Sequence, residues 1–159
     1  MNGVKIVMEV DGLEASLKRL GPLINFEPTE LMTAIAALGE SQTRRRIAEE
    51  KTAPDGTAWK PNHAGTPILV ATGQHLLYSL AWTASASEAE WGATWEYAHV
   101  HQDGMVIIPK EAKALAFEMG GKAVFAKEVT IPARPFVGLS TENETEMVDV
   151  VTDFFGVRP

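Results

Sequence analysis

The chain has 159 residues, of which 45% are hydrophobic, and it carries a formal net charge of −7 and no cysteine. Its length suits one domain spanning residues 1–159, and the missing thiols exclude a disulfide framework and a thiolate metal site. The apolar runs are short, so the sequence predicts no bilayer span, no secretory signal and no membrane partner. We therefore expect synthesis in a cytoplasm.

The acidic balance argues against stable nucleic-acid binding. Proteins that grip DNA neutralise its phosphates with Lys and Arg, whereas this chain has 14 basic against 21 acidic residues. From Glu142 onward, five acidic residues stand against Arg158 alone. A negative net charge suits a protein that DNA passes without binding to it.

The N-terminal half predicts one strand and two helices. Residues 4–10 are apolar and partly β-branched, which indicates a strand, and residues 13–20 indicate a short helix that Gly21-Pro22 ends. A long amphipathic helix begins near Pro28 and continues to residue 50, and the turn at 54–56 ends it.

The long helix contains the triplet Arg44-Arg45-Arg46. Successive helical residues point about 100° apart, so three in a row cannot form one flat phosphate-binding patch. Because Glu49 and Glu50 follow closely, we interpret the triplet as a solvated or interface face, with nucleic-acid binding as the weaker alternative.

The C-terminal half predicts mainly strands. A polar loop over 52–67 leads to a helical turn at 76–80, a period-two strand in which Leu80, Trp82 and Ala84 share a face, a return strand over 88–92 and a short helix over 95–102. Gly120-Gly121 indicates a hairpin, because a type I′ turn needs two positive φ angles. Capping-box spacing at Thr141 and Glu144 opens a last helix.

These segments predict an α+β fold. We expect an antiparallel sheet of about four to six strands, packed with the long N-terminal-half helix and the C-terminal helix. The pattern contains no internal repeat or domain linker.

The candidate chemistry is sparse. His99 and His101, with Asp103 nearby, would share a face on a strand, but in a helix they point about 200° apart and cannot chelate one ion. Ser79 and Ser140 lack a nucleophile elbow, and the Gly120-Gly121 pair opens no helix. We therefore predict no catalytic residue, no metal site and no cofactor.

Two segments are candidates for a structural or interface role. Trp59 stands in a polar loop, so it is either folded onto the core or an interface anchor. In the run from Ile131 to Phe136, two prolines hold Arg134 in one direction, so its guanidinium can pair with a carboxylate inside the fold or across a subunit contact. A plain extended connector with an exposed Arg is the alternative.

Several short motifs follow one another along the chain. They are Arg45-Arg46-Ile47, Pro54-Asp55-Gly56-x-x-Trp59, Ile68-Leu69, Thr72-Gly73-x-x-Leu76-x-x-Ser79, Tyr97-Ala98-x-x-His101-Gln102 and Ile131-Pro132-Ala133-Arg134-Pro135-Phe136-x-Gly138-Leu139-Ser140. In this order they resemble the phage virion morphogenesis or tail completion family of Mu-like phages. One departure is that Asp103-Gly104 leads directly into Met105-Val106-Ile107-Ile108-Pro109, where family members often carry an aromatic residue and a Gly pair.

The resemblance implies a structural protein of tail completion or head-to-tail joining, located in the virion at the head–tail junction. It implies a ring of identical subunits, often six, that contacts the tail tube or connector while DNA passes through the lumen. Its matching positions suggest interface or structural roles for Trp59, Tyr97, His101, Arg134, Pro135 and Phe136.

Ring closure needs two different patches on each subunit. The expected ones are the helix over 31–50 with the Trp59 loop, and the sheet edge at 105–109. A DNA-binding assembly factor and a tail-associated hydrolase are the competing functions.

Overall fold

The structure is a computed structural model that describes residues 3–9, 26–63, 65–70 and 75–156. These residues mix helices with antiparallel strands, which confirms the α+β fold. In chain order the elements are β1 (Lys5–Glu9), α1 (Pro28–Arg45), α2 (His75–Tyr78), β2 (Leu80–Ala84), β3 (Glu88–Ala93), α3 (Ala98–Asp103), β4 (Met105–Ile107), β5 (Leu115–Met119), β6 (Lys122–Ala126), β7 (Val129–Ile131) and α4 (Thr141–Phe154).

The predicted long helix is confirmed as α1 and its extension. Pro28 lies in the first turn, where its missing N–H costs no hydrogen bond. The last turn, Arg46–Glu50, is a π-helical turn. The helix ends at Glu50, as predicted, and Lys51 with its left-handed φ of 58° is the C-cap that precedes the turn at 54–56.

The main sheet has three antiparallel strands in the order β1-β3-β2, so β3 is central. Trp91 of β3 is 1% exposed and packs on α1. Gly39 permits this contact, because a Cβ there would lie 2.4 Å from the indole ring. The period-two pattern placed Trp82 of β2 on one face with Leu80; Leu80 is buried, whereas Trp82 remains 41% exposed.

The prediction of one sheet of about four to six strands is wrong. Among the described residues, β4 pairs with β7 and β5 pairs with β6 as separate two-stranded sheets. Pro109 and Pro132 follow β4 and β7 closely and cannot donate a ladder hydrogen bond, so these strands stay short. Gly120 and Gly121 have φ angles of 60° and 76°, which confirms the predicted hairpin turn.

The C-terminal helix α4 packs on α1. It begins one residue earlier than predicted: Ser140 is the N-cap, and the side chains of Ser140 and Asn143 form the capping box. Among the described residues, no helix has the length and apolar character needed to cross a membrane. The predicted helix over 13–20, its Gly21-Pro22 end and the Thr72-Gly73 motif lie outside the described residues.

Candidate functional site

The segment over residues 132–137 follows β7 and is hydrogen-bonded to α3. The Arg134 amide donates to the carbonyl of His101 at 2.7 Å. The Gln102 side chain accepts from the amides of Phe136 and Val137 at 3.0 and 3.1 Å and donates to the Val137 carbonyl at 3.0 Å. Gln102 satisfies three backbone groups that the sheet leaves unpaired. Sequence reasoning included Gln102 in a motif but did not assign it this role.

Arg134 is held within the chain. Its Nε and Nη2 atoms donate to the Lys60 carbonyl at 3.0 and 2.9 Å, and Nη2 also donates to Asn62 Oδ1 at 3.0 Å. The side chain is 6% exposed, and this burial lowers the pKa of the guanidinium. The guanidinium therefore has its partners inside the fold, which was one of the two alternatives. These partners are a backbone carbonyl and a side-chain amide, and not the expected carboxylate.

Trp59 and Phe136 meet in the same core cluster. Trp59 is 5% exposed and Phe136 is fully buried, and both pack with Ile47. The Trp59 indole N–H donates to the Pro135 carbonyl at 3.1 Å. The structure thus favours the core alternative for both aromatic residues, and it removes Trp59 from the exposed patch in which we had placed it.

Arg46 is the residue that sequence reasoning missed. It is 1% exposed, and its Nη1 donates to the carbonyls of Phe136 at 3.2 Å and Gly138 at 2.7 Å, while Nη2 donates to Asn143 Oδ1. Desolvation is the main reason that the pKa of Arg46 is lowered. The signal was present, because position 46 continues the buried helical stripe of Ile35, Gly39 and Gln42.

The arginine triplet therefore has no common face. Arg44 pairs with Glu40, and Arg45 pairs with Glu50 at 2.9 Å and Glu146 at 3.1 Å. The prediction of a solvated face holds for Arg44 and Arg45 and is wrong for Arg46, which points into the protein. This geometry disfavours a phosphate-binding cluster.

An aromatic stack surrounds the start of α3. The Trp95 ring stacks with the rings of His75 and His101 at centroid distances of 6.0 and 5.8 Å, and it forms an edge-to-face contact with Tyr97 at 5.6 Å. Burial, and secondarily the charge of Arg134, lower the pKa of His101. Tyr97 remains 54% exposed, so it is available for contact with another molecule.

The two histidines of α3 occupy different surroundings. His99 is exposed and its Nδ1 lies 2.8 Å from the Glu96 carbonyl, whereas His101 is half-buried against Trp95. In the part of the chain that the structure describes, no three His, Asp or Glu side chains come together as metal ligands.

Strand β5 of the β5–β6 hairpin borders an apolar groove of about 790 Å³. Side chains of β5 and β7 form one part of its wall, and Lys60, Asn62 and Arg134 form another. Large apolar side chains are exposed along β4 and on the hairpin, among them Met105, Val106, Ile107, Ile108, Phe117, Met119 and Phe125. Exposed apolar patches of this kind occur at protein–protein and membrane contacts and at ligand-binding grooves.

The buried polar groups of this site bond mainly to backbone carbonyls and amides, so they join helices α1 and α3 to the segment over 134–138. These features define a small α+β protein whose core is held by buried polar bonds. The chain belongs to the phage virion morphogenesis family, whose model matches residues 8–155. Over 127 residues it is 32% identical to Mu-like prophage FluMu G protein 2 of Haemophilus influenzae, covering 79% of this chain and 76% of that protein. No solved structure matches the chain.

Family membership confirms the predicted resemblance and indicates a structural role in phage morphogenesis, which points away from enzymatic turnover.

Proposed function

We propose that this protein is a ring-forming subunit that completes the phage tail or joins the head to the tail. The observation that carries the proposal is the exposed apolar surface of β4 and the residue after it, where Val106 and Ile108 are 56% and 63% exposed. Such a surface suits a virion-assembly protein, because a subunit that binds its neighbours only in the particle leaves its contact surfaces exposed before assembly.

The charge of the chain supports the same proposal. A net charge of −7 disfavours adhesion to phosphates, so DNA can pass a ring of such subunits without being held. The subunits contact one another and at least one other phage protein, of the tail tube or the connector. Residues Tyr97 and Met105 lie exposed in the region of α3 and β4, which we assign to such contacts.

The test is a phage whose copy of the gene carries a stop codon, examined by electron microscopy. We expect unjoined heads and tails, or tails of irregular length. Intact infectious particles that lack the protein would refute the proposal.

Complementation then tests the β4 surface. A gene with Val106→Glu and Ile108→Glu should fail to restore infectivity, because two charges in the contact would have to be desolvated. Tyr78→Glu is the matched control, since Tyr78 is a large apolar side chain that is 78% exposed and lies outside β4. Equal recovery by both genes would show that β4 is not a contact surface.

A further inference from the structure

A second apolar groove lies beside α4 and shares no lining residue with the groove at β5. It has a volume of about 310 Å³, and its wall includes Leu139, Met147, Val148 and Val151 together with Glu144. Val148 is 59% exposed although it belongs to the hydrophobic side of the helix. We call this surface the α4 socket.

The surroundings of the socket are strongly negative. Helix α4 carries five acidic residues and no basic one. Glu146 is occupied within the chain, because it accepts from Gln42 at 2.7 Å and from Arg45 at 3.1 Å. Glu142, Glu144 and Asp149 are exposed and form no ion pair with the residues that the structure describes.

The β5–β6 hairpin presents the opposite combination. Register places Phe125 across from Ala116, on the face of the hairpin opposite to Phe117, and Phe125 is 73% exposed. From residue 110 to residue 127 the chain has four exposed lysines against two glutamates, in a protein that is acidic overall. The lysines are Lys110, Lys113, Lys122 and Lys127. We call Phe125 and these lysines the hairpin knob.

We propose that the hairpin knob of one subunit docks into the α4 socket of a second copy of this chain. The apolar groove can receive a phenyl ring, the exposed lysines meet the exposed carboxylates of α4, and strands β5 and β6 pack mainly on each other within their own subunit. Because knob and socket are different surfaces of one chain, the contact is head-to-tail, and repeated contacts close into a ring when the rotation between subunits permits. The inference deepens the proposed ring and rests on it, and it replaces the α1 and Trp59 patch expected from sequence.

Cysteine cross-linking tests the contact directly, because the natural chain has no cysteine. One tagged chain carries Phe125→Cys and an untagged chain carries Val148→Cys, and the two are mixed under mild oxidation at high concentration. We expect the mixed disulfide to exceed both same-variant dimers. In the control, Val148→Cys is replaced by Glu96→Cys, an exposed position in neither surface. A yield no higher than in this control would overturn the proposal.

Mixing of two defective chains tests the head-to-tail geometry. Phe125→Glu removes the knob, and Val148→Arg blocks the socket. Each variant alone should self-associate roughly 30-fold more weakly than the natural chain, the effect of losing a hot-spot contact. Their mixture should form a one-to-one dimer and nothing larger in sedimentation velocity, because one intact knob and one intact socket remain. If mixing yields no dimer, the head-to-tail contact is refuted.

A charge swap tests the electrostatic part. Lys122→Glu with Lys127→Glu, or Glu142→Lys with Glu144→Lys, should each weaken association severalfold. All four changes in one chain should restore it, and added salt should weaken the natural contact. Failure of the combined variant to recover would show that these charges do not face each other.

The infectivity of phage that carry altered genes distinguishes this inference from the proposed function. If the stop codon blocks joining but a gene with Phe125→Glu restores infectivity, the function stands and the knob-and-socket contact is wrong. If particles without the protein are infectious, the proposed function fails, while the cross-linking result still decides whether the chain associates in this manner.

Discussion

Replacing Arg46 by Ala removes the link between the end of α1, the segment at 136–138 and the first turn of α4. The Phe136 and Gly138 carbonyls and Asn143 Oδ1 lose a charged donor inside the protein. Each bond to a charged group contributes about 1.5–3 kcal/mol, but such contributions do not add when they share one side chain. Breaking a buried polar network of this kind costs ~3–5 kcal/mol.

That cost is large beside the ~5–15 kcal/mol by which a domain of this size is stable. At roughly 2–4 °C per kcal/mol, Tm should fall by roughly 6–20 °C. The measurement is urea denaturation followed by circular dichroism, supported by thermal melting. Arg44→Ala and Arg45→Ala are the matched controls: their ion pairs are partly exposed, so each should cost at most about 1 kcal/mol.

Equal losses of stability in the three variants, or a loss of less than about 1 kcal/mol in Arg46→Ala, would contradict the role assigned to Arg46. A double-mutant cycle with Asn143→Ala adds a sharper criterion. The two side chains share a hydrogen bond, so their effects should be less than additive by about 0.5–3 kcal/mol. Full additivity would show that the bond contributes nothing.

Three further predictions concern the same site. Arg134→Lys keeps the charge but loses the planar fork that reaches both the Lys60 carbonyl and Asn62, so it should lower Tm and impair assembly; unchanged melting would contradict this. Trp59→Ala and Phe136→Ala should each cost ~3–5 kcal/mol in urea denaturation, because both side chains are buried, and a smaller loss than in an exposed-site variant would refute their core role. The lowered pKa of His101 means that the unfolded chain binds a proton more readily than the folded one. Stability should therefore fall as the pH drops below the unfolded value of about 6.5, and His101→Gln should flatten this dependence while His99→Gln leaves it unchanged.

Local sequence signals predicted most individual elements. The apolar period of α1, the Gly120-Gly121 turn and the strand character of β2 and β3 each depend on neighbouring residues, and each was found where the pattern indicated. Strand pairing depends on distant residues, so the division into three small sheets could not be read from the same patterns. The Ser140 cap was missed by one position because Thr141 offers similar chemistry.

The candidate site was predicted less completely, for a physical reason. The two prolines correctly marked the segment around Arg134, but its partners at Lys60 and Asn62 lie more than 70 residues away in sequence. A carbonyl acceptor has no sequence signature, because every residue carries one. Arg46 was misread since charged residues are almost never fully buried unless they are paired, and its acceptors were invisible in the sequence.

The arrangement of these residues distinguishes a densely hydrogen-bonded part of the protein from the exposed β5–β6 hairpin. Arg46 and Gln102 donate hydrogen bonds to the segment at 134–138, and Arg134 within it bonds to Lys60. The aromatic residues Trp59 and Phe136 pack in the adjoining core. Within the part of the chain that the structure describes, the β5–β6 hairpin has no comparable set of hydrogen bonds to other elements, and Phe125 is exposed. Burial of the Phe125 side chain against a neighbouring subunit would contribute about 1.5–3 kcal/mol per contact, which is too little to drive association alone. A ring that forms through such contacts is therefore stable only when several act together, or when a tail surface holds the subunits in place.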